Sequence, residues 1–464
     1  MANNINFGKI YDSTWWGVGV TSNNINWGKS YLDLAGGGDE RFIISVKTDN
    51  AGTSATNKFT LPTTGTGYNY DITTSDGQVI TGLTSGTTIT FPSSGTYDIF
   101  ISGSFPQCYF NNGGDAQKLL DIKNFGIYAL GSTSQLSAFW GCSNMVISAT
   151  DVGYFENVTS FRFAWVDCIS LTSFPLIDTS SGINFGLAWY NCISLTSFPL
   201  IDTSDGTSFD RTWYNCSSLT TFPLLDTSSG TNFSRAWELC SSLTSFPLID
   251  TSSGTNFALA WQDCRLLTSF PLINTSSGTG FGQAWFGCSS LTSFPLLDTS
   301  SGIDFFAAWY NCSSLTSFPL IDTGSGTNFR SAWYNCSSLT SFPLIDTSNG
   351  TNFLTTWRGC SSLTSFPILD TSSGNDFTQA WRFCISLTSF PANAFDTNIA
   401  TNYTDSFDQT NLTTQSIDDI LVSLVASGVS NGTFDQSGGQ APSATGQNAI
   451  TNLTNRGWTI TTTT

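Results

Sequence analysis

From residue 161 to 395 the pattern of apolar and polar positions repeats every 24 residues, ten times in succession. In one copy, Phe233, Ala236, Trp237 and Cys240 fall at i, i+3, i+4 and i+7. That spacing predicts a two-turn helix with one apolar stripe. The residue before each Phe (Asn184, Ser208, Asn232, Asn256, Gly280, Asp304, Asn328, Asn352 or Asp376) is of a type suited to an N-cap. Leu243, Phe246 and Leu248 then read as a short parallel strand, held to three or four residues by Pro247, which cannot donate to a ladder. Asp250-Thr-Ser-Ser-Gly254 closes the unit as a turn, with Gly254 as the position that tolerates positive φ. A stacked strand needs about 4.8 Å and a helix about 10 Å, so coils sharing both are expected to splay on the helical side and curve. One coil alone cannot bury its apolar face, and neighbours are required.

The flanks read differently. Residues 1–35 carry a tandem echo, Asn3-Asn-Ile-Asn-Phe-Gly-Lys9 and Asn23-Asn-Ile-Asn-Trp-Gly-Lys29. That segment is too short for a core of its own and is expected to be an attachment arm. Residues 36–106 alternate apolar and polar between Gly, Ser and Thr clusters, which predicts a small antiparallel β-sandwich of the immunoglobulin or PKD kind. Residues 107–160, with Phe139 and Cys142, are expected to be a linker and capping repeat, followed by the regular array at 161–400. In the remaining 401–464, two amphipathic helices (Ser416 to Ser427, Thr445 to Arg456) and a strand at Trp458-Thr-Ile-Thr461 should cap the array.

Ten of the twelve cysteines, from Cys168 to Cys384, recur at the 24-residue spacing. An unbroken spacing is a stacking register and not a disulfide framework, so they read as buried free thiols. The ten tryptophans Trp165, Trp189, Trp213, Trp237, Trp261, Trp285, Trp309, Trp333, Trp357 and Trp381 belong to the same apolar stripe and are expected to form structural core.

Composition narrows the function. The net charge of −18, with only 10% charged residues, disfavours nucleic acid and anionic membrane surfaces as partners. No run of about 18 apolar residues is present, so membrane insertion is not expected, and the N-terminus lacks the basic and apolar regions of a secretory signal. The chain contains no His, which removes Ser-His-Asp and Cys-His nucleophile activation. Paired carboxylates remain, but most Asp are repeat-spaced and single out no site, so no enzyme activity and no cofactor are expected. The row Asp178, Asp202, Asp226, Asp250, Asp298, Asp322, Asp346 and Asp370 invites calcium. Asn274 interrupts it without a compensating acid, and Asp-Thr-Ser is a turn former, so no metal is assigned. The binding candidates are residues that differ from coil to coil. Tyr190, Tyr214, Tyr310 and Tyr334 each follow a Trp, and Arg211, Arg235, Arg330, Arg358 and Arg382 lie nearby, all expected to face outward.

The repeated Cys-x-Ser-Leu-Thr-Ser-Phe-Pro, with Trp three residues before the Cys, resembles the BspA-type leucine-rich repeat of bacterial surface proteins and of bacteriophage proteins, especially marine ones. The segments Tyr68-Asn-Tyr-Asp71 with Ser94-Gly-Thr-Tyr97, and Gly457-Trp-Thr-Ile-Thr461, look like companions of these repeats in phage proteins. The coil is 24 residues where 23 is commoner, and Trp stands where Phe is frequent. The fold expected is therefore an α/β repeat solenoid, leucine-rich-repeat-like and curved, with short parallel strands and two-turn helices, an N-terminal all-β sandwich and a small α/β C-terminal cap. The resemblance implies adhesion or recognition: a virion protein of a tail fibre or head appendage, joined to other virion proteins by the arm and presenting the solenoid to a host-surface glycan or protein. A bacterial cell-surface adhesin is the alternative and a spacer without ligand the third reading. A homo-oligomer is left open.

Overall fold

The computed structural model describes residues 39–464, so the arm at 1–35, its tandem echo, and the first residues of the expected sandwich lie outside the described residues. The array is built from backbone bonds between coils and not from helices. The amides of Phe233, Arg235, Trp237 and Leu239 donate to the carbonyls of Asn256, Ala258, Ala260 and Gln262 in the next coil, at 2.8–2.9 Å. Isolated parallel bridges run without a break from Ser134 through Ser160, Asn184 and every later coil to Asn402. The amides between them close turns within the coil, as Ala236 does onto Phe233 and Cys240 onto Trp237.

The expected two-turn helix is therefore absent, although the stripe that suggested it is correctly placed: Phe233, Ala236, Trp237 and Cys240 are all fully buried. The physical reason is a pair of left-handed residues four positions apart in each coil. Arg235 lies at φ 57° and Leu239 at φ 63°, and the pattern recurs in every coil. A left-handed residue costs an L-amino acid about 1–2 kcal/mol and terminates an α-helix. Here it turns alternate amides sideways toward the neighbouring coil. The residues expected as N-caps carry the bridges instead, several with Asx turns such as Asn232 Oδ1 accepting from Ser234 N at 3.1 Å.

The expected strand at Leu243 to Leu248 is also absent, its sideways pairing reduced to single bonds such as Thr244 N to Thr220 O at 3.2 Å, with one bridge at Ser365↔Ser389. Pro247 has no amide to give, and its carbonyl accepts from Ile249 N two residues on. Curvature driven by helix width consequently has no basis. Three interior columns rise in step: Phe233 to Phe257 at 5.6 Å, Trp237 to Trp261 at 5.5 Å and Phe246 to Phe270 at 5.8 Å between ring centroids.

Gly254 does not occupy a positive-φ turn. It is needed because a Cβ there would lie 2.5 Å from Phe257 Cζ and 3.0 Å from the Thr251 carbonyl.

Ahead of the array, β1 (Phe42–Lys47), β3 (Asn69–Thr74), β4 (Val79–Leu83), β6 (Thr96–Ser104), β7 (Leu119–Asn124) and β8 (Val146–Ile147) form one sheet in the order β4-β3-β6-β1-β7-β8. The second layer is only β2 (Lys58–Leu61) paired with β5 (Thr87–Thr90). The expected boundary at 106 does not hold: β7 and β8 come from the segment expected to be linker, so sheet and capping coil are fused. The same junction buries Lys118, whose Nζ donates to the carbonyls of Ser54, Ala55 and Lys58, beside Asp115, which accepts from Ser54 N and Thr60 N. The capping coil stacks on the array through Phe139 N to Ala164 O and Gly141 N to Val166 O.

Beyond the last coil, β9 (Asn402–Phe407), α1 (Thr414–Ala426), β10 (Thr433–Gln436), α2 (Ala444–Asn455) and β11 (Thr459–Thr461) make a parallel three-stranded cap in the order β11-β10-β9. Both expected helices are present but begin slightly earlier than expected, at Thr414 where Ser416 was expected and at Ala444 where Thr445 was, capped by the Thr413 and Ser443 side chains. The cap continues the core columns, with Tyr403 stacked on Phe377 at 5.2 Å and Phe407 on Trp381 at 4.9 Å.

Candidate recognition surface

The residue after each Trp lies on the outer side of the turn-rich face, half-buried in most coils, and its column reads Val166, Tyr190, Tyr214, Glu238, Gln262, Phe286, Tyr310, Tyr334, Arg358, Arg382. Because the coils are joined sideways at strand-like spacing, side chains in this column meet face to face. Tyr190 and Tyr214 stack at 4.4 Å and 2°, Phe286 and Tyr310 at 4.6 Å and 7°, Tyr310 and Tyr334 at 4.4 Å and 6°. The Arg358 guanidinium then lies 5.4 Å from the Tyr334 ring and 5.2 Å from Phe383, and Arg382 lies 4.9 Å from Phe383. The ladder ends on carboxylates, with Arg382 Nη1 2.8 Å from Asp405 and Nη2 3.1 Å from Asp408.

The sequence-derived candidates thus fall into two groups. The first joins Tyr190 and Tyr214 with Arg211, which pairs with Asp210 at 2.8 Å, and with Arg235, which pairs with Glu238 at 3.1 Å. The second joins Tyr310, Tyr334, Arg358 and Arg382. Arg330 stands apart, exposed, its guanidinium 5.7 Å from the Phe306 ring. Phe286, Phe306, Phe383, Glu238, Asp405 and Asp408 were not among the sequence candidates. Phe286 and Glu238 could have been found by reading the column itself at its 24-residue interval. Asp405 and Asp408 could not, because two extra residues shift the cap out of that register: Trp381 N bonds Ser406 O, 25 residues on, where within the array the partner lies 23 on.

Burial shapes the chemistry. Glu238 has its carboxyl pushed up by desolvation, with Arg235 pulling the other way. Tyr214 and Tyr310 are raised, first by desolvation and then by neighbours that include Glu238 and Tyr190 for the former and Tyr334 for the latter. Within each stack the π faces cover one another, so what the surface offers a ligand is ring edges, phenolic hydroxyls and guanidinium groups. It is suited to hydrogen-bonded and ionic contacts more than to stacking of a sugar on an open ring.

The other sequence features have their places. Asp250 Oδ1 accepts from Ser252 N at 2.9 Å, and Asn274 does the same for Ser276 at 3.1 Å, so acid and amide serve one turn equally. Among the described residues no group of three or more His, Cys, Asp or Glu is arranged to hold a metal ion. All twelve cysteines are buried and free; Cys240 donates to the Trp213 carbonyl at 3.2 Å, and burial pushes its thiol up to about 12. The ten repeat tryptophans are fully buried core. No helix among the described residues is long and apolar enough to cross a membrane.

What the stacking defines is a class of architecture, a solenoid of turn-built coils bridged edge to edge. No protein family and no curated protein matches the sequence. Among solved structures the chain is similar to one described as the crystal structure of a TLR13–ssRNA13 complex, at 12% identity and a TM-score of 0.25, over 75% of this chain and 52% of that one. The chain thus spans about half the length of that protein, and a superposition this loose carries no weight for fold or ligand.

Proposed function

We propose that this chain is a bacteriophage virion protein, carried on a tail fibre or as a head appendage, whose solenoid presents a surface that recognises the host. The reading combines the repeat's resemblance to the BspA type with one structural observation. The inward aromatic columns are uniform, with Trp in all ten coils, while the outward column beside them changes from Tyr to Glu, Gln, Phe and Arg. A scaffold whose interior is fixed and whose surface varies suits binding better than catalysis, and we read the protein as a non-enzyme without cofactor. Residues 1–35 would join it to other virion proteins, and the Tyr310, Tyr334 and Arg358 group would meet a host glycan or protein.

The test has two parts. Mass spectrometry of purified virions should find the chain, and the full-length protein should bind host cells. Binding should fall at least tenfold when Tyr310, Tyr334 and Arg358 are replaced together by Ala with the fold retained. Absence from virions together with presence in the cell envelope would replace this reading by that of a bacterial adhesin.

A further inference from the structure

The face opposite in chemistry to the ladder carries a second column, formed by the residue that follows proline in nine consecutive coils, from Leu176 to Ile368. It is Leu in eight and Ile in the last, and every one is exposed, from 47% at Leu176 to 62% at Leu272. The same position in the next coil is Ala392, where the column stops. Single exposed leucines need no explanation. Nine in a line do, because the coils bring successive members as close as the core columns, which rise by 5.5 Å at Trp237 to Trp261. The stripe amounts to on the order of 800 Å² of apolar surface, above the roughly 300–600 Å² of the largest patch on a typical monomer.

We infer that this stripe is a self-association surface on which two copies of the chain pack in parallel, with the two-fold axis along the solenoid. Three observations select a second copy. The area matches the roughly 800 Å² per partner of a standard stable interface. The partner must offer an apolar line of the same length and pitch, which this chain itself supplies. The flanking charges also fit only one arrangement. The chain crosses the face from an exposed Ser (Ser245, three residues before Leu248) to an exposed Asp (Asp250, two residues after), so a hydroxyl column borders the stripe on one side and a carboxylate column on the other.

An antiparallel pair would set the two carboxylate columns against each other, which like charges oppose. A two-fold along the stripe sets each carboxylate column against the partner's hydroxyls instead. Asp250 engages Oδ1 in its own turn, and its exposed carboxylate still has acceptor capacity for a partner's Ser.

Sedimentation velocity on the full chain should report a species of twice 49.9 kDa. The triple variant Leu224→Asp, Leu272→Asp, Leu320→Asp should sediment as a monomer with unchanged circular dichroism, since all three side chains are solvent-exposed in the single chain, and its thermal midpoint should no longer rise with protein concentration as the wild type's does. For orientation, Leu176→Cys alone should form a disulfide-linked dimer on mild oxidation, the twelve native cysteines being buried. A wild-type chain that stays monomeric at high concentration, or a triple variant that stays dimeric, overturns the interface. Cross-linking of Leu176→Cys only when mixed with Ile368→Cys overturns the parallel arrangement. No host cell or virion enters these measurements, so their outcome is independent of the recognition role.

Discussion

Replacing Trp237 by Ala tests the central premise, that the interior columns hold the array together. The indole is fully buried. It stacks on Trp213 at 5.6 Å and on Trp261 at 5.5 Å, meets Phe246 and Phe222 edge to face at 4.9 and 5.4 Å, and lies 6.0 Å from Phe233. Trp to Ala in a core costs about 3–5 kcal/mol, and the upper end applies where the hole cannot collapse. Here the surrounding rings are held by their own neighbours one coil further on, so collapse is restricted. One feature works the other way: the Nε1 of Trp237 has no hydrogen-bond partner, like those of the other nine repeat tryptophans. Removing an orphaned donor returns about 1 kcal/mol, leaving an expected net cost near 4 kcal/mol.

Two companion variants give the comparison its force. Trp237→Phe keeps an aromatic ring in the column and removes the orphaned N–H, so its cost should be about 1 kcal/mol. Tyr334→Ala removes one stacked pair and one cation–π contact at a half-exposed site, about 1–2 kcal/mol. A repeat array is not reliably two-state, so urea midpoints should be joined by hydrogen exchange. In Trp237→Ala, protection should fall first at the amides that join this coil to its neighbours, Trp213 N and Trp237 N. Equal midpoint shifts for Trp237→Ala and Tyr334→Ala would refute the assignment of inner and outer columns. A Trp237→Phe variant as damaged as Trp237→Ala would show that the indole N–H has a partner after all.

Three further outcomes follow from the same geometry. Leu239 holds φ 63° where Asn191, Asn215, Asn311 and Asn335 hold the same conformation, so Leu239→Asn should stabilise by about 1 kcal/mol, read as a raised urea midpoint; a lowered midpoint would mean that Leu239 packing outweighs its backbone cost. Native protein should leave all twelve thiols unmodified by a thiol reagent at pH 8 and expose all twelve in denaturant, because burial raises their pKa values and covers them; fast labelling of even one repeat Cys in the folded state contradicts this. Glu238 has its folded pKa above the unfolded value of 4.5, so the folded state holds the proton more tightly and stability falls as pH rises from the unfolded to the folded pKa. Glu238→Gln should therefore raise the thermal midpoint at pH 7 and lose that advantage below pH 4, whereas a variant less stable at pH 7 would show the Arg235 pair outweighing desolvation.

The repeat length, the inward stripe, the free cysteines and the cap helices were all legible in the sequence, because each depends on which positions are apolar. The backbone conformation of the coil was not, because Phe233, Ala236, Trp237 and Cys240 at i, i+3, i+4 and i+7 satisfy a helix and a row of four-residue turns equally well. A signal did separate the two. The position two after each Trp is Asp, Asn or Gly in eight of ten coils, Leu239 and Phe383 being the exceptions, and those are the types that enter the left-handed region most readily. Gly254 misled in the opposite sense, since nothing local distinguishes a glycine kept for positive φ from one kept because a phenylalanine ring lies against it. The strands β7 and β8 are not legible in the sequence because they complete a sheet begun some 75 residues earlier, a pairing that no local periodicity records.

Without helices in the repeat coils, the outer surface of the array differs from that of a helical solenoid. On a helical solenoid, outward residues of adjacent coils stand about 10 Å apart and act singly. At strand-like spacing they touch, and a side chain on the outer column is stabilised when its neighbour is of the same kind, ring upon ring at 4.4 Å in Tyr190 and Tyr214 or in Tyr310 and Tyr334. Such a column favours long uniform runs, as the interior columns show with ten consecutive tryptophans. The outer column is broken instead: two tyrosines, then Glu238 and Gln262, then three aromatic rings, then Arg358 and Arg382. Each break forgoes a stacked pair worth about 0.5–1.5 kcal/mol. Stacking alone therefore does not account for the order of residues on this face. The breaks also confine the column's own tyrosines and arginines to two patches, the larger running from Phe286 to Arg382; under the proposed recognition role, substitutions that weaken binding to host cells should concentrate there, while the interruption at Gln262 tolerates substitution.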